Sequence, residues 1–542
     1  MKRSGGEILL KNISAGEVQM QLSCPLCNEH IDDNLGLHIR QRHGEEALRK
    51  AVLSAKEHGM PDAEIGAQYG VSFNTLQQLI TEAYGANISV LKRPKHIKRW
   101  QPPDFHEETT TVWSFKQRGD WATHDGRYRG NWSPYIPRNV ILKYSRPGNI
   151  VLDYFVGGGT TAVEAKLLGR KCIARDINPG AIGLTLENLR FSPPRELFSD
   201  GILLSEPNIS VGDARDLSDI PDNSVDLICA HPPYAGIIKY SANIAGDLSG
   251  LSVQDFLVEM SKVARESLRV LRPGGKCAIL IGDARRSKHV VPIGFRTIRV
   301  FLDAGFILRE LVIKRQHNCK TTGFWYNRSI EYNFLLLAHE YLPIFEKPRA
   351  DRVTEQLSFW EYTLPHQSTV QKVKTIQEES VETTTVWIFP AEHLEAEIRR
   401  NLLRRFAEPT SEFVEFSFAD NNAPVLKAQS TKKPTLAYIA PPGRLTNEEM
   451  IAGYRATVKK ISDQASKMLT AQGFLIVDTK DVRIGDRFWP MGLLLWEDLS
   501  NRKDFGIKEI IIVLPERPPR EGPDEYLQVI HRYLLVYSKR KS

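Results

Sequence analysis

No run of about 18 apolar residues occurs in this 542-residue chain, so no membrane-spanning helix is expected. The first residues, MKRSGGEILLKNIS, lack the apolar core of a secretory signal. Cysteine is scarce, with six in all. Four of them (Cys172, Cys229, Cys277, Cys319) are scattered through apolar stretches. They read as small buried side chains of a protein kept in a reducing cytoplasm. Excess charge of one sign is also small. A formal charge of +7 permits a polyanionic partner but argues only weakly for one at this length. What remains is the composition of a globular protein, 42% hydrophobic and 25% charged, too long for one compact core.

Against that background one segment stands out. Val151-Leu152-Asp153-Tyr154-Phe155-Val156-Gly157-Gly158-Gly159-Thr160-Thr161 runs an apolar strand into a glycine-rich turn, and a helix-forming run (AVEAKLLG) follows. Glycines let the backbone turn tightly and approach a ligand closely. Asp176 ends the next apolar run, 19 residues after Gly157. A doubly wound nucleotide-binding sheet places its ribose-binding acid at about that distance. Asp213 and His231-Pro232-Pro233-Tyr234 follow in order, each near the end of an expected strand. Strands are expected near 150–154, 171–175, 225–230, 276–281, 306–313 and 331–337. A long helix is expected over 254–270, turning at Leu271-Arg272-Pro273-Gly274-Gly275 into the next strand. The alternation implies an α/β fold with a mostly parallel sheet, its three acids on one edge.

These motifs together resemble the S-adenosylmethionine-dependent DNA amino-methyltransferases. That family joins a D-x-F-x-G-x-G-T-T loop to a [D/N/S]-P-P-[Y/F/W] loop. Asn131-Trp132-Ser133-Pro134-Tyr135-Ile136-Pro137-Arg138-Asn139 resembles the segment that precedes the glycine loop in the β-like subgroup. The resemblance covers roughly Thr109 to Phe345, with one departure: His231 stands where Asp, Asn or Ser is usual. It implies a Rossmann-like class I methyltransferase sheet and S-adenosylmethionine as cofactor. The cofactor-binding residues would be Asp153, Phe155, Gly157, Gly159, Thr160, Thr161, Asp176, Asn178, Asp213 and Ala214. Asp153 suits the methionine ammonium, Asp176 the ribose hydroxyls and Asp213 the adenine amine. Thr160 and Thr161 add hydroxyls. Arg138 either pairs with the cofactor carboxylate or caps its helix.

The implied substrate is double-stranded DNA, methylated at an exocyclic amine, adenine N6 in preference to cytosine N4. Such amines are poor nucleophiles because their lone pair is delocalised into the ring. The catalyst must accept hydrogen bonds from the amine, and in the family the first tetrad side chain and the first proline carbonyl do so. His231 can serve only as a neutral imidazole, so activity is expected to fall as pH drops through a nominal pKa near 6.5. Tyr234 would stack on a base flipped out of the duplex. Pro232 and Pro233 stiffen the loop. Two other readings stay open: an inactive cofactor- and DNA-binding regulator, and an RNA or protein methyltransferase. Neither the recognition sequence nor a restriction-enzyme partner nor the oligomeric state is written in the chain.

Two small modules precede this region. Cys24-x2-Cys27-x10-His38-x4-His43 has the ligand types and spacing of a tetrahedral structural zinc site. Leu35 sits where a finger helix would bury an apolar residue. A short helix is then expected from about Pro61 to Gly70, and Ser72 can cap a second one carrying Leu76, Leu79 and Ile80 inward. That pattern is a helix-turn-helix or an ordinary helical hairpin. In the first case Asn74, Thr75, Gln77 and Gln78 could read base edges. Lys92-Arg93-Pro94-Lys95-His96-Ile97-Lys98-Arg99 reads as a basic linker, laid along phosphates or merely solvated.

The C-terminal third carries an internal repeat. Thr109-Thr110-Thr111-Val112-Trp113-Ser114-Phe115 recurs as Thr383-Thr384-Thr385-Val386-Trp387-Ile388-Phe389. Weaker echoes follow in the same order, with Ala230-His231-Pro232-Pro233-Tyr234 matched by Ile439-Ala440-Pro441-Pro442-Gly443. His339-Glu340-Tyr341-Leu342 is matched by His531-Arg532-Tyr533-Leu534. About 20 residues link the copy's first strand to its next echo, against about 70 in the first copy, so the glycine loop and ribose acid are missing there. The expected organisation is a zinc finger over 1–50, a helix-turn-helix and basic linker over 51–99, a catalytic domain over 100–348, and a degenerate copy over 349–542. The two methylase-like domains are expected to pack as an internal pseudo-dimer.

Overall fold

The computed structural model describes residues 22–31, 35–58, 60, 62–71, 75–76, 79, 97–124, 130–197, 205–235, 244–317, 323–349, 364–372, 381–409, 411–418, 433–517 and 525–540. The chain divides into two compact units, Met1–Arg93 and Pro94–Ser542.

In the first unit, β1 (Leu22–Ser23) and β2 (His30–Ile31) form a hairpin that leads into helix α1 (Leu35–His43). Helices α2 (Glu45–Glu57) and α3 (Asp62–Tyr69) follow. Leu35 and Ile39 of α1 share one core with Leu48, Val52 and Ile65. Gly36 is required there, because a Cβ would lie 1.7 Å from the Tyr69 carbonyl oxygen. Helix α3 ends before Gly70, which takes a left-handed φ of 61°. Ser72, Asn74, Gln77, Gln78, Ile80 and the tract 92–96 lie outside the described residues.

The second unit holds two sheets. The first is built from β3 (Val112–Trp113), β4 (Ile150–Asp153), β5 (Lys171–Asp176), β6 (Asn208–Val211), β7 (Val225–Ala230), β8 (Leu271–Ile279) and β9 (Ile281–Gly282). A hairpin of β10 (Ala284–Arg286) and β11 (His289–Val291) leads to the sheet's last members, β12 (Ile307–Arg315) and β13 (His339–Glu346). Their order is β3-β12-β13-β8-β7-β4-β5-β6, with β13 antiparallel to both neighbours. This is the Rossmann-like sheet expected from the sequence. Its helices are α4 (Tyr135–Tyr144), α5 (Thr160–Leu167), α6 (Pro179–Asn188), α7 (Val253–Val270), α8 (Ile293–Asp303) and α9 (Gly323–Glu331). The central strand β7 is buried along its whole length, as its apolar run Leu227–Ala230 requires. Ser252 caps α7 by accepting from the Asp255 N–H, and Phe256, Met260, Val263 and Ser267 then fall on one buried stripe.

Two expectations need correction. The strand expected at 331–337 lies at His339–Glu346 instead. Leu335 packs with Trp387 of the other half of the unit rather than in the sheet, and Phe334 is buried with its ring against Trp325 and Arg285. The Pro-Gly-Gly turn is no clean break either. It sits inside β8, where the pairing with β7 slips between Val225–Leu271 and Leu227–Lys276.

The second sheet contains β14 (His366–Lys372), β15 (Val386–Phe389), β16 (Glu412–Phe418), β17 (Leu436–Ile439) and β18 (Phe474–Thr479). After the hairpin β19 (Val482–Ile484) and β20 (Arg487–Trp489) come β21 (Phe505–Pro515) and β22 (Arg532–Lys539). The order is β14-β16-β17-β18-β22-β21-β15. From β16 to β15 it follows β4 to β3 of the first sheet strand for strand. In the place of β5 stands β14, which runs antiparallel to β16.

The two sheets meet through reciprocal contacts. Leu336 N–H donates to the Thr383 carbonyl (2.8 Å), and Thr385 N–H donates back to Leu336 (2.9 Å). Across the seam, Thr111 N–H donates to Gln528 (2.9 Å), and Gln528 N–H donates to Thr109 (2.9 Å). His339 Nδ1 lies 2.9 Å from Thr385 Oγ1, and His531 Nδ1 lies 2.8 Å from Thr111 Oγ1. Each histidine's Nε2 meets a tyrosine hydroxyl, Tyr341 at 3.0 Å and Tyr533 at 2.9 Å. Each tyrosine then reaches a buried acid, Asp283 or Asp481. Arg285 forks onto the buried Glu509 at 3.0 and 2.6 Å, and Glu509 also accepts from Leu335 N–H. Glu509→Ala leaves Arg285 and that amide without their acceptor. Its expected cost is about 3–5 kcal/mol, read by chemical denaturation. A loss below about 1 kcal/mol would show that the seam does not depend on this pair.

Candidate active site

A cavity opens at the carboxyl ends of β4, β5 and β7. Its wall includes Asp153, Phe155, Gly157, Asp176, Asn178, Asp213, Ala214, His231 and Pro233 from the expected set. Of the rest, Gly159, Thr160 and Thr161 at the start of α5 and Pro232 in its loop are buried outside this wall, and the half-buried Tyr234 lines an adjoining pocket. The glycine loop is pinned from α6. Thr185 Oγ1 donates to the Gly157 carbonyl (2.9 Å), and Asn188 Nδ2 to that of Gly158 (2.7 Å). Gly157 and Gly159 take φ of 52° and 86°, a region that favours glycine. A Cβ on Gly158 would come within 2.7 Å of the Asn131 side chain. Thr185 and Asn188 escaped the sequence reading, since they bind backbone and belong to no motif spacing.

The acids differ in state. Burial pushes Asp153 up to about 7, against the hydrogen bond from Phe155 N–H. Burial pushes Asp176 up to about 6, against the N–H groups of Asn178 and Gly157, each at 2.9 Å. Neither has a cationic side chain among its recorded partners. Asp213 is different: three contacts to the Arg215 guanidinium and one to its N–H outweigh burial and lower it. Arg138 does neither of the things expected of it. It donates to the fully buried Glu164 of α5 (2.9 Å), which also receives Trp121 Nε1 at 2.6 Å and contacts His124 Nε2 at 2.7 Å. Arg138 therefore ties α4 to the helix behind the glycine loop.

His231 lies in the wall between this cavity and an adjoining pocket that also holds Trp132, Tyr234, Lys314 and Glu340. Its ring stacks on Trp132, centroids 5.5 Å apart and 23° from parallel. Burial lowers its pKa to about 4, against the pull of Glu340 and a backbone hydrogen bond with Gly130. The nominal value near 6.5 is thus corrected downward, and the imidazole is neutral throughout the neutral pH range. Its Nε2 stands 3.1 Å from the Tyr234 hydroxyl, which donates to Glu340. Glu340 takes Lys314 Nζ at 2.6 Å. Burial alone would raise the Glu340 carboxyl. The ammonium beside it and these hydrogen bonds instead hold it at about 2.

The family profile described as DNA methylase matches residues 79–187 and 225–436, over half of the chain. The chain belongs to this family. It is 29% identical over 174 residues to the Type II methyltransferase M.MthZI of Methanothermobacter thermautotrophicus, covering 27% of this chain and 49% of that protein. It is 32% identical over 196 residues to a tRNA (guanine(6)-N2)-methyltransferase of Thermus thermophilus, 34% of this chain and 51% of the other. The chain thus spans about half the length of these curated relatives. Among solved structures, TrmN from Thermus thermophilus covers 40% of this chain and 50% of its own, at 22% identity and a TM-score of 0.25. In the N-terminal unit, the ligand atoms of Cys24, Cys27, His38 and His43 all lie within 4.8 Å of one another.

The raised acids make a pH prediction for cofactor binding. On the roles expected from the sequence, a bound ammonium would favour ionised Asp153, and ribose hydroxyls would favour ionised Asp176. Affinity for S-adenosylmethionine should therefore fall about tenfold per pH unit below 7, and more steeply below 6. Calorimetric titration from pH 5 to 8 checks this. Asp153→Asn should weaken binding at pH 8 and remove the upper limb. An unchanged profile in that variant would take Asp153 out of the site.

Proposed function

We propose that the protein transfers a methyl group from S-adenosylmethionine to the exocyclic amine of a flipped base in double-stranded DNA, adenine N6 in preference to cytosine N4. One observation carries this reading: His231 stands between a cavity edged by two unneutralised acids and a pocket walled by Trp132 and Tyr234. The fit to the cofactor rests on that edge. Asp153 would hold the ammonium, Asp176 the ribose hydroxyls, and the glycine loop the methionine portion, with Phe155, Asn178 and Ala214 completing the wall. Bound S-adenosylmethionine supplies an electrophilic methyl group whose C–S bond breaks as the N–C bond forms, the sulfur keeping the electron pair.

The chain's part is to make the amine a nucleophile. In neutral His231 one ring nitrogen carries no proton and can accept an amine N–H, and the Pro232 carbonyl is a second acceptor. Accepting both localises the lone pair on nitrogen as it attacks, and the nitrogen then releases one proton. Tyr234 and Trp132 offer aromatic faces to the base. A histidine that stays neutral at pH 7 favours activity over the inactive regulator.

The N-terminal unit is read as a zinc-dependent DNA-binding module. Cys27 Sγ lies 3.3 Å from His38 Nε2, and Cys24 Sγ 3.7 Å from His43 Nε2. Tetrahedral zinc with bonds of about 2.0–2.3 Å requires ligand separations of this size. The second sheet is read as a degenerate methylase copy that serves as scaffold in an internal pseudo-dimer. Ala440 and Gly443 stand in place of His231 and Tyr234.

Incubating DNA with labelled cofactor and analysing its bases by mass spectrometry tests the activity. N6-methyladenine is expected. N4-methylcytosine would move the target, and bound cofactor with unmodified DNA would return the regulator reading. For the finger, metal analysis should give one zinc per chain. The Cys24→Ser/Cys27→Ser variant should lose the metal and bind DNA about tenfold or more weakly, with cofactor affinity unchanged. A metal-free preparation with normal DNA affinity would refute the module.

A further inference from the structure

Two residues beside the tetrad, the buried Glu340 and the half-buried Lys314, belong to no expected motif. Glu340 on β13 and Lys314 on β12 are directly paired across the strands. Lys314 Nζ holds one oxygen of the carboxylate, and the other accepts from the Tyr234 hydroxyl. That hydroxyl meets His231 Nε2 at 3.1 Å. The four side chains line the pocket assigned above to the target base.

The chain contains its own control. The second sheet keeps every member of the seam: Asp481 for Asp283, Gly492 for Gly294, His531 for His339 and Tyr533 for Tyr341. At the four positions of the Lys314 chain it keeps none. Val513 pairs with Arg532 where Lys314 pairs with Glu340, and Ala440 and Gly443 replace His231 and Tyr234. Arg532 is turned into an ion pair with Asp478, its Nε 3.1 Å from Oδ1. Residues that only hold the two halves together have been retained. Glu340 and Lys314 have been lost together with the tetrad, so they go with the chemistry and not with the scaffold.

We infer that Glu340, anchored by Lys314, is a positioning residue for methyl transfer, supplying through Tyr234 and His231 the negative charge that an acid at position 231 would have provided. This rests on the proposed methyltransferase reading. The physical logic is that a neutral imidazole is a weaker acceptor than a carboxylate. Its acceptor strength and orientation depend on what its other nitrogen meets. Because the Tyr234 hydroxyl gives its proton to Glu340, its oxygen can accept from Nε2 of His231 and so fixes the ring's orientation.

Glu340→Gln and Tyr234→Phe test it, each measured alone and in a His231→Ala background. Expected is a fall in kcat of about 100-fold for either change alone, with cofactor affinity unchanged. Much less further loss is expected once His231 is absent. Equal losses in both backgrounds, or an unchanged kcat, would overturn the inference. A second measurement needs no turnover. The side-chain nitrogen signals of His231, assigned by their loss in His231→Ala, should shift in Glu340→Gln and Tyr234→Phe protein in the absence of DNA. Unshifted signals in folded, cofactor-binding variants also overturn it. Shifted signals in a protein that leaves DNA unmodified would uphold the relay and remove the substrate assignment instead.

Discussion

The rest of the second unit depends on backbone groups that find their partners only in the other half. Leu336 and Gln528 are at equivalent places, and each exchanges two hydrogen bonds with the threonine segment of the opposite sheet. The repeated Thr-Thr-Thr-Val-Trp sequence does two things in each copy. Its threonines cross the seam, and its Val-Trp pair joins the edge of its own sheet, β3 on β12 and β15 on β21. Buried amides and carbonyls left without partners are expensive, so neither half can be removed without stranding the other's. That constraint explains how a sheet with no tetrad chemistry persists. It is held by what it gives to its neighbour.

The seam also reaches the site through the geometry of one strand. Side chains alternate along a strand, so residues two apart share a face. On β13, His339 and Tyr341 point to the seam, where Thr385 and Asp283 meet them. Glu340 between them lines the pocket shared by Trp132, His231 and Tyr234. Pinning His339 from the second sheet therefore fixes where Glu340 stands. The Gly294 N–H that donates to Asp283 continues the same arrangement into α8.

The order and type of most elements in the first sheet were legible from the sequence, because strand, glycine turn and helix signals there agree. Asp153, Asp176 and His231 came together as their positions at strand ends implied. The strand misplaced at 331–337 failed for a physical reason. Its apolar residues are buried against another layer, and burial alone does not say what a residue is buried against. Glu340 was missed because a single acid in an apolar strand carries no spacing. The one available signal was the internal echo, in which His-Glu-Tyr-Leu became His-Arg-Tyr-Leu. The state of His231 was equally invisible, since only the fold brings the Trp132 ring and the two pocket walls around its imidazole.

Burial acts on all the ionisable groups of the site, yet it leaves them in opposite states. Desolvation disfavours charge, so it raises Asp153 and Asp176 and lowers His231. It would raise Glu340 too, but Lys314 is within hydrogen-bonding distance and reverses the balance. The difference lies in which partners the protein supplies. Where Lys314 is built in, the carboxylate is already charged and is part of the apparatus. No cationic side chain acts on Asp153 or Asp176 in the same way. An ammonium-bearing, positively charged ligand is what two such acids on one edge are suited to receive. A neutral imidazole between that edge and an aromatic-walled pocket is suited to accept a proton donor from the other side. The division of charge, more than any single motif, gives the site its direction.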